Sequence, residues 1–243
     1  MARQTSKSKT EAEKSVVEET TSYSSNPTVH EEVYRQLRQS IVSGQLEPGR
    51  ALTVRGLAAE YGVSAMPARE AIKRLVGIGA LEQTPTRRIM VAQMTADKIV
   101  ELTIARKVLE PALAVLALRK IGSDSVKLNA LVEALSEIDA KLDSAIVSGN
   151  VAEYGKYNSE FHFALYEAAS APVMLGLVES LWLQIGPFMR IVLGRQGTAS
   201  FVDQHKEVTT ALAERDTAKL EEAVRDDIMD GMAQIERHLA DQD

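Results

Sequence analysis

Residues 53–92 read TVRGLAAEYGVSAMPAREAIKRLVGIGALEQTPTRRIMVA, and the fold follows from this stretch. Val54, Leu57 and Ala58 share one face of a helical projection. Gly62 stands where a left-handed residue can end that helix. Ser64 is a natural cap for the next helix, with Glu70 just inside it. Ala68, Ala71, Ile72 and Leu75 then recur at helical spacing, and the opposite face carries Arg69 and Lys73 one turn apart. Beyond them, Ala80–Gln83 and Ile89–Ala92 predict two short strands around a tip at Thr84–Arg88. Helix, tight turn, helix and hairpin make a winged helix-turn-helix, whose second helix lies in a DNA major groove. The stretch therefore predicts a DNA-binding regulator.

Working outward, His30–Ser43 predicts an amphipathic helix with Val33, Leu37, Ile41 and Val42 inward, and Pro48-Gly49 closes a turn. Residues 1–27 are rich in Ser, Thr, Glu and Lys and read as a disordered tail, in which EAEKSVVEE could form a transient helix. From residue 96 every cue is helical. Helices are predicted near 96–121, 124–148, 150–170, 172–194, 198–214 and 216–240, with kinks at Pro111 and Pro187. The fold class is mainly α: an N-terminal winged helix-turn-helix plus a C-terminal antiparallel bundle of about six helices. The domains are a tail over 1–27, a winged-helix module over 28–95 and a helical effector-binding and dimerisation domain over 96–240.

Composition bounds the function classes. Length 243 and 45% hydrophobic residues suffice for two modest globular domains. No apolar run approaches the ~18 residues of a membrane span, and the N-terminus has no apolar signal core. With no cysteine, disulfides and thiolate ligands are excluded. These features predict a cytoplasmic protein without a membrane partner. The net charge of −6 conceals a split: residues 30–95 carry 9 basic and 6 acidic side chains, residues 96–243 carry 15 and 24. Phosphate contact is local, so the basic sign of the DNA-facing module counts for more than the total.

On the second helix, Ala65, Met66, Arg69 and Lys73 lie on one face, where residues near the helix start reach base edges. Arg69 can bridge two guanine acceptors. In the helical half, Asn158 and His162 are four apart and stack on one face, while His205 and Asp227 fall on the last two long helices. Two imidazoles, a carboxylate and an amide oxygen could hold a borderline divalent cation, zinc first, with nickel or manganese as alternatives. The bland reading of the Asn158–His162 pair is a hydrogen-bonded core or surface contact. His30 and His238 lie near helix ends and read as solvated; Trp182 and Met189 read as core.

Segment 33–92 resembles the winged-helix domain of the GntR-type bacterial transcription regulators, through VYRQLRQSIVSGQLEPGRAL (33–52), VRGLAAEYGVS (54–64) and MPAREAIKRL (66–75). With the downstream half, the resemblance is closest to the FadR-like branch with an FCD effector domain, over about residues 30–240. It implies base or phosphate contact for Arg55, Ser64 and Arg69, and wing contact at the Thr84–Arg88 tip, Arg87 included. The sequence departs from the family at Ala65, where Arg is usual, and near Arg88, where Gly is usual; Arg87 and Arg88 could compensate through the minor groove or phosphates.

The FCD pattern places an Asp and a His four apart, then two His on later helices, and NSEFHFALYEAAS (158–170) is similar to its D-x-x-F-H-x-x-L neighbourhood. Asn158 stands for the family's Asp and Asp227 for its last His, so the number of carboxylates is kept while its position moves. Arg106, four before Glu110, has two readings: an intrahelical ion pair, or, as the resemblance implies, the anchor of an effector carboxylate. The implied protein is a homodimeric, ligand-responsive, sequence-specific regulator, a repressor, that binds a double-stranded DNA operator and takes a divalent metal and a small organic acid in its bundle. Another reading is a metal-dependent enzyme using His162, His205 and Asp227, a two-His, one-carboxylate set with open positions. A third is a DNA binder with a degenerate pocket.

Overall fold

The computed structural model describes residues 28–196 and 204–241. Helix α1 (Val29–Val42) is followed by strand β1 (Ala51–Leu52), α2 (Val54–Glu60), α3 (Ala65–Ile78), β2 (Leu81–Gln83) and β3 (Ile89–Val91). The helical half contains α4 (Ala96–Ile121), α5 (Ser125–Ser148), α6 (Val151–Glu167), α7 (Pro172–Gln196), α8 (Gln204–Glu214) and α9 (Thr217–Ala240). The predicted tail, residues 198–203 and the side chain of Met189 lie outside what the structure describes.

Local chemistry sets the helix ends. Thr28, Thr53, Thr95, Asp124, Asn150 and Asp216 each accept a hydrogen bond from a backbone N–H in the first turn they cap. Gly79 ends α3 in the left-handed conformation at φ 81°, and Gly62 takes φ 64° in the tight turn between α2 and α3. α4 and α7 run on past Pro111 and Pro187 as single helices.

The sequence predicted two strands; the described residues form three, in the order β1-β3-β2, all antiparallel. Ala51 pairs with Met90 and Leu52 with Ile89 on one side of β3, and Leu81 pairs with Val91 on the other. A two-residue strand has no periodicity to read, so β1 is visible only through its partner. The hairpin thereby joins the loop before α2, and Gly49 N–H reaches the Val91 carbonyl at 2.9 Å.

One buried apolar cluster runs through both halves, from Val33, Leu37 and Ile41 of α1 to Phe161, Val178, Trp182 and Ile235 of the bundle. The two halves touch where α1 ends. A Cβ at Gly155 of α6 would stand 2.5 Å from the Ser43 carbonyl oxygen, and one at Gly186 of α7 2.6 Å from those of Ile41 and Val42. Arg38 of α1 pairs with Glu179 of α7 at 2.6 Å and lies over the Phe163 ring. The bundle thus holds α1, and α1 packs on α3, the helix with Arg69 and Lys73.

Candidate metal centre and nucleic-acid interface

Three bundle helices each bring one polar group to a common point. His162 projects from α6, His205 from α8 and Asp227 from α9. The His162 Nε2 and His205 Nε2 atoms are 3.3 Å apart. Asp227 Oδ2 lies 3.2 Å from His162 Nε2, and its Oδ1 3.8 Å from His205 Nε2. One ligand atom from each of the three lies within 4.8 Å of the others. Both imidazoles are buried, and Asp227 keeps about a fifth of its side chain exposed, with values of 2%, 6% and 21% for His162, His205 and Asp227. Asn158, also buried, sits one turn before His162 on the same helix.

Asp227 is the acidic member of this cluster. Burial alone would raise the Asp227 carboxyl, but His162, by charge and hydrogen bond, together with His205 and Arg106, holds it well below the usual carboxylate range. Two imidazole nitrogens and a carboxylate facing one another repel unless a proton or a metal ion lies between them. The donor set suits a borderline divalent ion, so the residues fit the cation the sequence suggested.

Behind the centre lies a second buried layer. Arg106 and Glu110, one turn apart on α4, form a forked pair at 2.5 and 3.1 Å. Both are almost fully buried, at 4% and 0% exposure. The intrahelical ion pair read for Arg106 is therefore present, with both partners in the interior. The Tyr166 hydroxyl donates to Glu110 Oε2 at 2.8 Å and stands 3.3 Å from His162 Nδ1. The Trp182 ring packs against both His162 and Arg106, each about 5.0 Å from it, and its buried indole N–H has no hydrogen-bond partner among the described residues. On α5, Asp139 Oδ1 lies 3.5 Å from His205 Nδ1.

Sequence reading missed Tyr166 and Asp139. A signal existed for Asp139: Leu135 and Leu142 mark the buried face of α5, and an acidic residue interrupts that face between them. His238 corrects an expectation, since it is buried rather than solvated. It lies in the last turn of α9, the helix packed most extensively on α4. His30 is exposed, as expected.

At the other end of the molecule, α3 buries Pro67, Ala68, Ala71, Ile72 and Leu75 and exposes Met66, Arg69 and Lys73. Arg55 on α2 and Arg87 at the hairpin tip are exposed too. None of Arg55, Arg69, Lys73 and Arg87 forms an ion pair among the described residues, whereas Arg74 is taken up by Glu31 and by the Tyr34 ring. Ser64 caps α3 in an extended conformation, yet its side chain makes no capping hydrogen bond. The tip is closed by Arg87 N–H on the Thr84 carbonyl and by Arg88 N–H on Thr84 Oγ1. Arg87 has φ 62°, a conformation that glycine adopts more easily. That strained arginine occupies the part of the wing where the family usually has Gly.

An exposed basic helix in a winged helix-turn-helix, joined to a helical bundle, is the architecture of a DNA-binding transcription regulator. The comparisons agree. Residues 29–91 match the model of the bacterial regulatory proteins of the gntR family, and residues 101–230 match the FCD domain. The chain belongs to the GntR family of transcription regulators and carries an FCD domain.

The chain is 29% identical over 157 residues to the HTH-type transcriptional regulator McbR of Escherichia coli K12, covering 64% of this chain and 68% of that protein. It is 26% identical over 218 residues to the transcriptional repressor GlaR of the same organism, covering 85% and 96%. The solved structure of Escherichia coli McbR/YncC shares the fold, with TM-score 0.78, 23% identity and coverage of 88% of this chain and 99% of that one. A putative GntR regulator from Rhodococcus sp. RHA1 follows with TM-score 0.66, 22% identity and coverage of 85% and 96%. Both families and these relatives are regulators rather than enzymes, which sets the metal-dependent enzyme reading aside. Among the described residues no helix is long and apolar enough to cross a membrane.

Proposed function

We propose that this regulator is a homodimeric repressor whose DNA affinity responds to a small organic acid sensed at a divalent metal in the bundle. The convergence of His162, His205 and Asp227 from three helices carries the reading. Zinc suits two imidazoles and a carboxylate, and nickel or manganese would also be accepted. Asn158 would add an amide oxygen, a weaker donor than the carboxylate usual in the family. A bound metal of this kind supplies a Lewis-acidic position for an acid's carboxylate. Arg106 and the unpartnered Trp182 N–H lie beside it as further recognition groups. The acid must compete with Glu110 for the Arg106 fork, which favours compact, doubly charged ligands.

On the DNA side, Arg69 and Met66 would face base edges, with Lys73, Arg55, Ser64 and Arg87 on phosphates. The free Ser64 hydroxyl and the unpaired arginines support this division. Dimerisation would use α4, where Val100, Ile104 and Val108, spaced by four, are 52%, 60% and 64% exposed on one face. Two chains joined there would present two α3 helices to a pseudo-palindromic operator. The test is a melting-shift panel of sugar acids and dicarboxylates with and without chelator, followed by gel shifts with the best hit. A stabilising acid that needs the metal and changes operator affinity supports the proposal. An unaltered operator affinity with every acid refutes the sensing role.

A further inference from the structure

Resting on the metal reading above, we propose that Asp139 and Glu110 are positioning residues that set both histidines in one tautomer. From behind the imidazoles they fix the proton on Nδ1 of His205 and of His162 when a metal is bound, which leaves both Nε2 lone pairs for the ion at the point they share with Asp227. A neutral imidazole offers a lone pair at one nitrogen only when the other carries the proton, so the back-side partner decides which nitrogen can ligate.

For His205 the partner is direct. Asp139 is 6% exposed, and its Oδ1 has no hydrogen-bond partner among the described residues although it lies 3.5 Å from His205 Nδ1. An ionised carboxylate only accepts, and a buried acceptor without a donor is costly. A protonated Nδ1 is the donor at hand, and a small rotation of either side chain closes the gap to a hydrogen bond. Lys206 Nζ lies 3.8 Å from the other carboxylate oxygen.

For His162 the partner acts through a relay. The Tyr166 hydroxyl has one proton, and Glu110 Oε2 takes it at 2.8 Å. Toward His162 Nδ1, 3.3 Å away, the hydroxyl oxygen is then an acceptor, and that nitrogen must carry a proton. The Arg106 fork fixes the Glu110 carboxylate in position for the bond from Tyr166. The Arg106–Glu110 pair therefore reaches the metal point through Tyr166 and His162.

The test uses the full-length protein with zinc alone as probe. Affinity is read by competition with a chromophoric chelator and the tautomers by 15N–1H correlation of the imidazoles. Zinc-loaded wild type should show Nδ1–H on both His162 and His205. Asp139→Leu should weaken zinc binding by about 10–100-fold, and Asp139→Asn, which keeps an Oδ1 acceptor, should recover most of the loss. Tyr166→Phe should weaken binding and speed solvent exchange of the His162 Nδ1 proton. Wild-type zinc affinity in Asp139→Leu with an unchanged His205 Nδ1–H signal overturns the proposal, as does zinc bound through Nδ1 of either histidine. Should Asp139→Leu fail to fold, the wild-type tautomers and the Asp139→Asn affinity still decide. A wild type that takes up no zinc refutes the metal reading itself. Uptake lost in His162→Ala but kept in Asp139→Leu refutes only this inference.

Discussion

Gly186 of α7 lies against Val42 of α1 so closely that a Cβ on the glycine would stand 2.6 Å from the Val42 carbonyl oxygen and 2.7 Å from its Cα. Helix α7 also carries Trp182, which packs on His162, and Glu179, which pairs with Arg38. A displacement at the buried centre therefore has a short packed route to the end of α1, and α1 packs on α3.

Gly186→Ala should destabilise the protein, because the obstructing atoms are backbone and cannot rotate away. Overpacking of this kind costs about 1–3 kcal/mol. Thermal melting should register it, and a melting temperature equal to wild type would show that α1 can shift away without cost.

Arg69→Ala should lose about 1–3 kcal/mol of discrimination between operator and random DNA. Arg87→Ala should instead weaken both alike and lower the salt slope by roughly one unit. Gel shifts at several salt concentrations separate the two. Equal losses of specificity would mean that the wing reads bases as well as α3.

Ile104→Glu should convert the protein to monomers in multi-angle light scattering, since it places a charge in the apolar stripe of α4. Operator affinity should fall with it, as two half-sites can no longer be held together. A dimer that survives the charge moves the interface elsewhere.

Acid stability of the metal-free protein follows from Asp227. Its folded carboxyl is depressed below the unfolded value, so the unfolded chain binds the proton first as pH falls. The stability it contributes is full well above the ordinary aspartate value of about 3.9 and is lost as pH drops through and below it. Asp227→Asn should flatten the acid limb of a plot of urea midpoint against pH. Parallel limbs in the two proteins would remove the charge from the account.

Much of this was legible in the chain. The start and the buried side of α3 could be read because Ser64 precedes it and Ala68, Ala71, Ile72 and Leu75 recur at helical spacing. His162 and His205 could be paired with Asp227 because imidazoles are scarce, only 4 in the chain, and ligating types stand out. β1 was illegible because its identity depends on β3, 38 residues away. Burial was illegible at His238 and Arg106. Spacing along one helix gives the face a residue shares with its neighbours, not which other helix covers that face. Asp139 illustrates the same limit, since its partner His205 lies on α8, far along the chain.

The most direct measurement of the central claim is the metal content of the purified protein after dialysis against zinc. Wild type should retain a single divalent ion per chain, and His162→Ala, His205→Ala and Asp227→Ala should each lose most of it while keeping a cooperative melt. Equal metal content in wild type and all three variants would contradict the claim that these side chains form the centre.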